Sequence, residues 1–193
     1  MKSLIIDTAT SLMYVGLVDG DNLIDKRTRI SKKDISKYLV SEIKGLLESN
    51  DVTLDEIDRI IVGKGPGSYT GLRIAGTVSK TLCYAKGIDL YEVSSLFLLT
   101  SGYDKAISMI DARNNNVFGA IYDGGVARVA DGHWVKGELL AKQKNEEIVL
   151  IDETNYMVDV RKVIKVAKKV SNTHEYIPNY INKTEAERNN ENK

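Results

Sequence analysis

A chain of 193 residues is long enough to bury a core of its own and fits one domain or two small lobes. Its 27 basic and 27 acidic side chains cancel to a formal net charge of zero, which removes any global electrostatic pull toward nucleic acid or membrane. The hydrophobic share of 42% and charged share of 28% are those of an ordinary globular protein, and a single cysteine, Cys83, rules out an intrachain disulfide.

The opening "MKSLIIDTAT" reaches Asp7 after a short apolar run, too brief for a signal-peptide core, and no apolar stretch approaches the roughly 20 residues of a membrane span. The expectation is a soluble cytoplasmic protein with no membrane partner. "SLIIDTAT" (3–10) predicts a strand ending in a polar turn, "MYVGLVDG" (13–20) a second strand, and "NLIDKRTRI" (22–30) a third, together an antiparallel meander. From Ser31 the period changes: Ile35, Leu39, Val40, Ile43, Leu46 and Leu47 recur at helical spacing over 32–49, with Ser31 or Asp34 placed to cap the helix. "TLDEID" (53–58) carries Thr53 and Glu56 at capping-box spacing, and "RIIVG" (59–63) is a short buried strand. After "GKGPGSYTGLR" (63–73), the residues Leu72, Ala75, Val78, Leu82 and Ala85 mark a helix to residue 86, closed by Gly87. "DLYEVS" (89–94) predicts a strand and "SLFLLTSG" (95–102) a short helix.

A second unit opens near residue 105. "KAISMIDAR" (105–113) is a strand, "NNN" (114–116) a tight turn, "VFGAIYDGG" (117–125) a strand and "VARVA" (126–130) a third. "EEIVLIDE" (146–153) is a further strand, and Val160, Val163, Ile164 and Ala167 predict a helix within 155–170. The opening pattern of strand, Asp-bearing turn and strand thus recurs, which predicts a duplicated α/β architecture with lobes at 1–104 and 105–193 and a polar tail over 184–193.

The glycine segment is the conspicuous motif. A phosphate-binding P-loop would need glycine five residues after Gly63, where Ser68 stands, followed by lysine, where Tyr69 stands. The dinucleotide pattern G-x-G-x-x-G fails at Ser68 or at Thr70. The reading that remains is a strand-to-helix corner: Pro66 fixes φ, the glycines permit close backbone approach, and Ser68 or Thr70 caps the helix. A helix N-terminus still attracts anions. Asp7 reads either as a phosphate-facing acid or as a turn residue that satisfies its own backbone. The two histidines, His133 and His174, are far apart and form no ligand pair, so no transition-metal site is expected, and neither a catalytic triad nor any bound cofactor. Cys83 falls on the apolar stripe of its helix and reads as a buried small hydrophobe. The basic run "RKVIKVAKK" (161–169) reads as a solvated helix face, since no aromatic interleaves with its lysines.

Taken together, "LIIDTAT", "GKGPGSYTGLRIAGTVSKTL", "EVSSL", "DARNNNVFGAIYD" and "YIPNYI" resemble the bacterial TsaB family, formerly YeaZ. The glycine segment is close to the family's G-P-G-S-[FY]-T-G-[LIV]-R-[IV]-[GA]; in "PNYINKTEAER" Asn182 stands where arginine is usual. The likeness is densest over residues 1–125, while 126–175 departs from the pattern and looks shortened. The resemblance implies the actin-like ATPase fold, two hairpin-led α/β lobes with the second reduced. It implies a non-catalytic partner of TsaD, which transfers a threonylcarbamoyl group from its adenylate to the adenosine beside the anticodon of tRNAs reading codons that start with A. TsaD is expected as heterodimer partner, TsaE as a further candidate partner, a homodimer where TsaD is absent, and tRNA only through the complex. TsaD holds metal through H-x-x-x-H on a helix whose counterpart here, 32–49, has no histidine.

The same resemblance places the partner surface on the helices 32–49 and 70–86. The candidate interface residues are Tyr69, Leu72, Arg73, Ile74, Thr77, Val78, Thr81 and Tyr84 on the second helix, with Tyr38, Leu39 and Ile43 on the first. Two other readings stand open: an independent ATPase or sugar-kinase-like enzyme using Asp7 and the glycine loop, and a metallopeptidase, against which the missing histidine pair argues.

Overall fold

The computed structural model describes residues 1–30 and 34–181. Ser31 as the alternative cap, Asn182 and the tail 184–193 lie outside the described residues. The chain runs β1 (Lys2–Asp7), β2 (Leu12–Asp19), β3 (Asn22–Ile30), α1 (Ile35–Ser49), β4 (Arg59–Gly63), α2 (Tyr69–Lys86), β5 (Asp89–Val93) and α3 (Ser95–Thr100). It continues as β6 (Lys105–Asp111), β7 (Asn116–Asp123), β8 (Val126–Val135), α4 (Lys136–Leu140), β9 (Glu147–Leu150), α5 (Val160–Val166) and β10 (Lys168–Lys169).

Two sheets result. The larger has the order β10-β5-β4-β1-β2-β3 and the smaller β8-β7-β6-β9. In the first, β1 pairs antiparallel with β2 and parallel with β4; in the second, β6 pairs antiparallel with β7 and parallel with β9. The repeated pattern of the sequence is therefore a repeated topology. Each unit starts as a meander and adds a parallel strand beside its first one.

Strands β1 and β2 are apolar on both faces because both faces are covered. Leu4 and Ile6, with Met13, Val15 and Leu17 of β2, face α1 and α2. The alternate residues Ile5, Tyr14 and Val18 face α3, α5 and the second sheet. Helices α3 and α5 thus lie in one continuous core between the sheets. A smaller core of Ile107, Met109, Val117, Ile121 and Leu139 backs the second sheet under α4.

Several elements differ from expectation, among them β8, foreseen over 126–130 and running on to Val135. The helix foreseen within 155–170 is only Val160–Val166. Asp159 caps it by accepting the Arg161 N–H at 3.0 Å, and past Val166 the chain extends to pair Lys168 with Glu92 and Lys169 with Tyr91. The strand foreseen over 146–153 ends at Leu150, since Asp152 closes a turn by accepting the Thr154 N–H at 2.7 Å. The five-residue α4 and the two-residue β10 are too short for periodicity to reveal.

Candidate functional site

The glycine corner joins β4 to α2 and is held from every side by its own chain. The Lys64 N–H donates to the Val93 carbonyl at 2.8 Å, the Gly65 N–H to Ser95 Oγ at 3.0 Å, and the Ser68 N–H to the Ala9 carbonyl at 2.7 Å. The Ser68 hydroxyl caps α2 by accepting the Gly71 N–H at 3.3 Å. Lys64 Nζ, the cation nearest a would-be phosphate, is paired with Glu92 at 2.8 Å. Two glycines are there for close approach: a Cβ at Gly63 would overlap Asp7 Oδ2, and one at Gly71 would overlap the Thr8 carbonyl. Gly65 adopts φ +103°, which a side chain would resist. The corner is a packed joint.

Asp7, at the end of β1, is fully buried. Its Oδ1 accepts the Ala9 N–H at 2.9 Å, so it does form the turn foreseen for it. Oδ2 is buried without a hydrogen-bond partner. Burial pushes this carboxyl up to about 6, against the pull of the neighbouring Ser95 hydroxyl and the Ala9 N–H. Such a group is a buried acid against the corner, since a Cβ at Gly63 would overlap its Oδ2. Cys83 is buried, and burial pushes its thiol up to about 12, which leaves it inert at neutral pH. The histidines serve as surface packing, His133 against Phe118 and His174 against Tyr84.

Helix α2 sorts the candidate residues. Leu72 is 1% exposed and packs in the core that holds Ile5, Ala9 and Leu12, while Ala75 and Cys83 of the same helix pack in the core under α1. On α1, Leu39 and Ile43 are 0% and 4% exposed. These three point inward, a correction to their placement on the partner surface: on each helix the stronger apolar stripe is the one the sheet takes. Tyr38 is half-buried beneath the Arg29 guanidinium, 3.6 Å from the ring centroid. The outward side of α2 carries Tyr69, Arg73, Thr77, Thr81 and Tyr84, all exposed, with Ile74 and Val78 half-buried beside α1. Between α1 and α2 lies a cavity of about 420 Å³ lined by Ser36, Tyr69, Thr70, Arg73, Ile74, Thr77 and Val78. The structure therefore brings together seven of the candidates, Tyr69, Arg73, Ile74, Thr77, Val78, Thr81 and Tyr84, on one helix side and separates Leu72, Leu39 and Ile43 from them.

Sequence reasoning missed what flanks α2 on its other side. Residues 172–181 run along the helix, and Tyr176 is buried against Gly76, where a Cβ would lie 3.1 Å from the ring. Burial pushes the Tyr176 phenol well above its usual value, with Glu92 and Asp7 adding to the shift. The quoted "YIPNYI" was the only signal, and it carries no periodicity.

With this geometry in hand, comparison with known proteins is informative. The family profile described as "TsaD: tRNA N6-adenosine threonylcarbamoyltransferase" matches residues 28–133, more than half of the chain. The chain is 36% identical over 126 residues to the Bacillus subtilis (strain 168) protein named tRNA threonylcarbamoyladenosine biosynthesis protein TsaB, covering 63% of this chain and 55% of that one. It is 27% identical over 152 residues to the Escherichia coli (strain K12) protein of the same name, covering 76% and 64%. The chain belongs to the TsaB/YeaZ family. The matched stretch spans a little over half of the Bacillus relative and under two thirds of the Escherichia one. Among solved structures, YeaZ from Pseudomonas aeruginosa superimposes with a TM-score of 0.71 at 20% identity, over 93% of this chain and 99% of that one. The YeaZ fold accounts for both sheets, one of six strands and one of four. Among the described residues, no helix is long and apolar enough to cross a membrane.

Proposed function

We propose that this chain is a non-catalytic, activating subunit in the formation of N6-threonylcarbamoyladenosine beside the anticodon of tRNAs reading codons that start with A. The observation that carries the reading is the family membership: two curated relatives bear the name of that biosynthesis. The site supports it by what it offers. The glycine corner commits the Lys64, Gly65 and Ser68 N–H groups and the Lys64 ammonium to the chain itself, and Asp7 is fully buried. The outward side of α2 offers an exposed, mixed apolar and hydroxyl ridge beside a cavity.

The partner in this reading is TsaD, docked on α2 at Tyr69, Arg73, Ile74, Thr77, Val78, Thr81 and Tyr84, with Tyr38 at the edge. The lobe built from residues 1–104 carries this surface, with β10 and the segment after it returning to its edge from residues 105–193, which otherwise form the smaller lobe. TsaE is a further partner of the assembled complex, tRNA is met only through it, and two copies of the chain share the same surface when TsaD is absent. The protein works in the cytoplasm. Co-purification with TsaD, followed by a tRNA threonylcarbamoylation assay with each subunit omitted in turn, tests the proposal. Modification that needs this chain supports it, and equal modification without it refutes it.

A further inference from the structure

The surface of α2 does not end at the helix. Residues 174–180 lie along it from end to end. The His174 ring meets Tyr84 at 4.9 Å near the C-terminus of α2, and the Tyr180 ring meets Tyr69 at 4.7 Å at its N-terminus. The segment leaves a 3-10 turn at Thr173–Glu175, runs past Gly76 and turns again where the Tyr180 N–H donates to the Pro178 carbonyl at 3.0 Å. Between these ends Lys80 Nζ donates to the His174 carbonyl at 2.6 Å, Tyr176 fills the notch left by Gly76, and the Asn179 N–H donates to the Lys64 carbonyl at 2.7 Å. The segment is strapped onto the helix at four points and onto the glycine corner at a fifth, with Tyr176 turned in and its neighbour Ile177 turned out, 72% exposed.

We infer that this strap is the second half of the docking surface, so that a partner bridging the ridge of α2 also rests on Ile177 and on the Tyr69–Tyr180 pair. The inference rests on the proposed α2 docking and adds to it the element that borders the ridge opposite α1. Ile177 stands exposed on the strap between the two aromatic pairs and adds an apolar side chain to the surface that a partner on the ridge would cover. The occupant it fits is a protein carrying the same helix pair. The family profile of the transferase covers 28–133, which contains α1, the glycine corner and α2, so TsaD presents a matching pair of helices. Arg73 lies 5.5 Å from the Tyr69 ring at the seam of helix and strap, exposed, and calls for a carboxylate on the partner.

The test is calorimetric titration of the full chain with purified TsaD from the same genome, for the wild type, Thr77→Arg on the ridge, Ile177→Glu on the strap and Val126→Glu. Val126, 71% exposed on β8 of the second lobe, serves as the control. Thr77→Arg and Ile177→Glu are each expected to weaken association about tenfold or more while Val126→Glu leaves it unchanged, all three melting with the wild type by circular dichroism. Wild-type affinity for Ile177→Glu beside a weakened Thr77→Arg overturns the strap and leaves the helix reading standing. A weakened Ile177→Glu beside an unaffected Thr77→Arg overturns the composite surface. No binding by the wild-type chain overturns both. Should Ile177→Glu melt early, Ile177→Ser is measured in its place, and wild-type affinity there overturns the strap.

Discussion

Replacing Asp7 by asparagine should stabilise this protein at neutral pH. The carboxyl is fully buried and burial raises it from 3.8 to about 6, so its ionised form disfavours folding by about 3 kcal/mol. The sign follows from which state holds the proton. Between about pH 4 and 6 the folded chain keeps it and the unfolded chain releases it, so stability falls as pH rises through that window and stays low above it. Asparagine keeps the acceptor for the Ala9 N–H and lacks the charge, while the Ser95 hydroxyl beside the carboxyl is an acceptor for its NH₂. Urea or thermal unfolding of both proteins from pH 4 to 8 is the assay. The variant should match the wild type near pH 4 and exceed it by about 2–3 kcal/mol at pH 8, some 5–10 °C in Tm for a chain of this size. Parallel stability curves across that range, or a variant weaker than the wild type at pH 8, would show that Asp7 is not a buried, poorly compensated acid. In the assembled complex the same variant should leave tRNA modification within a few-fold of wild type, whereas losing a general acid or base costs about 10²–10⁴-fold.

Gly71→Ala would drive a Cβ into the Thr8 carbonyl, a backbone atom that cannot swing away, and should cost about 2 kcal/mol or more in chemical denaturation; Gly20→Ala, where a Cβ meets nothing but φ is +58°, should cost less. Leu39→Ala should lose about 2–5 kcal/mol by cavity formation, against little for its exposed neighbour Val40→Ala, which separates core from surface on α1. Millimolar magnesium–ATP should leave the Tm of the isolated chain unchanged, because the corner's Gly65 and Ser68 N–H groups and Lys64 are already engaged; a dose-dependent rise would revive the nucleotide-enzyme reading.

Much of the fold was legible because it is written in periods. The order of the β1–β3 and β6–β8 meanders, the helical spacing of α1 and α2, Ser68 as cap and Gly87 in the left-handed region at φ 68° all appear where the sequence put them, although β8 runs on to Val135 past the expected 126–130. Direction was harder. On α2 the stripe through Leu72 and the strip through Ile74 are both apolar, and only the sheet decides that Leu72 goes in; the same holds for Leu39 and Ile43 on α1. The strap was illegible for a different reason. An irregular segment such as 174–180 is ordered by Gly76, Lys80 and Tyr69, about a hundred residues away, and its own residues have no repeat to betray the contact.

The central claim is that this chain acts through a partner and does so from the outer side of α2. The direct measurement is the rate of threonylcarbamoyladenosine formation on tRNA by purified TsaD, TsaE and the enzyme that supplies the adenylate, with this chain present, absent, or carrying Thr77→Arg. The account predicts that modification depends on the wild-type chain and falls at least tenfold with the variant, while the variant melts normally. Undiminished modification without the chain, or full activity with the variant, would contradict it.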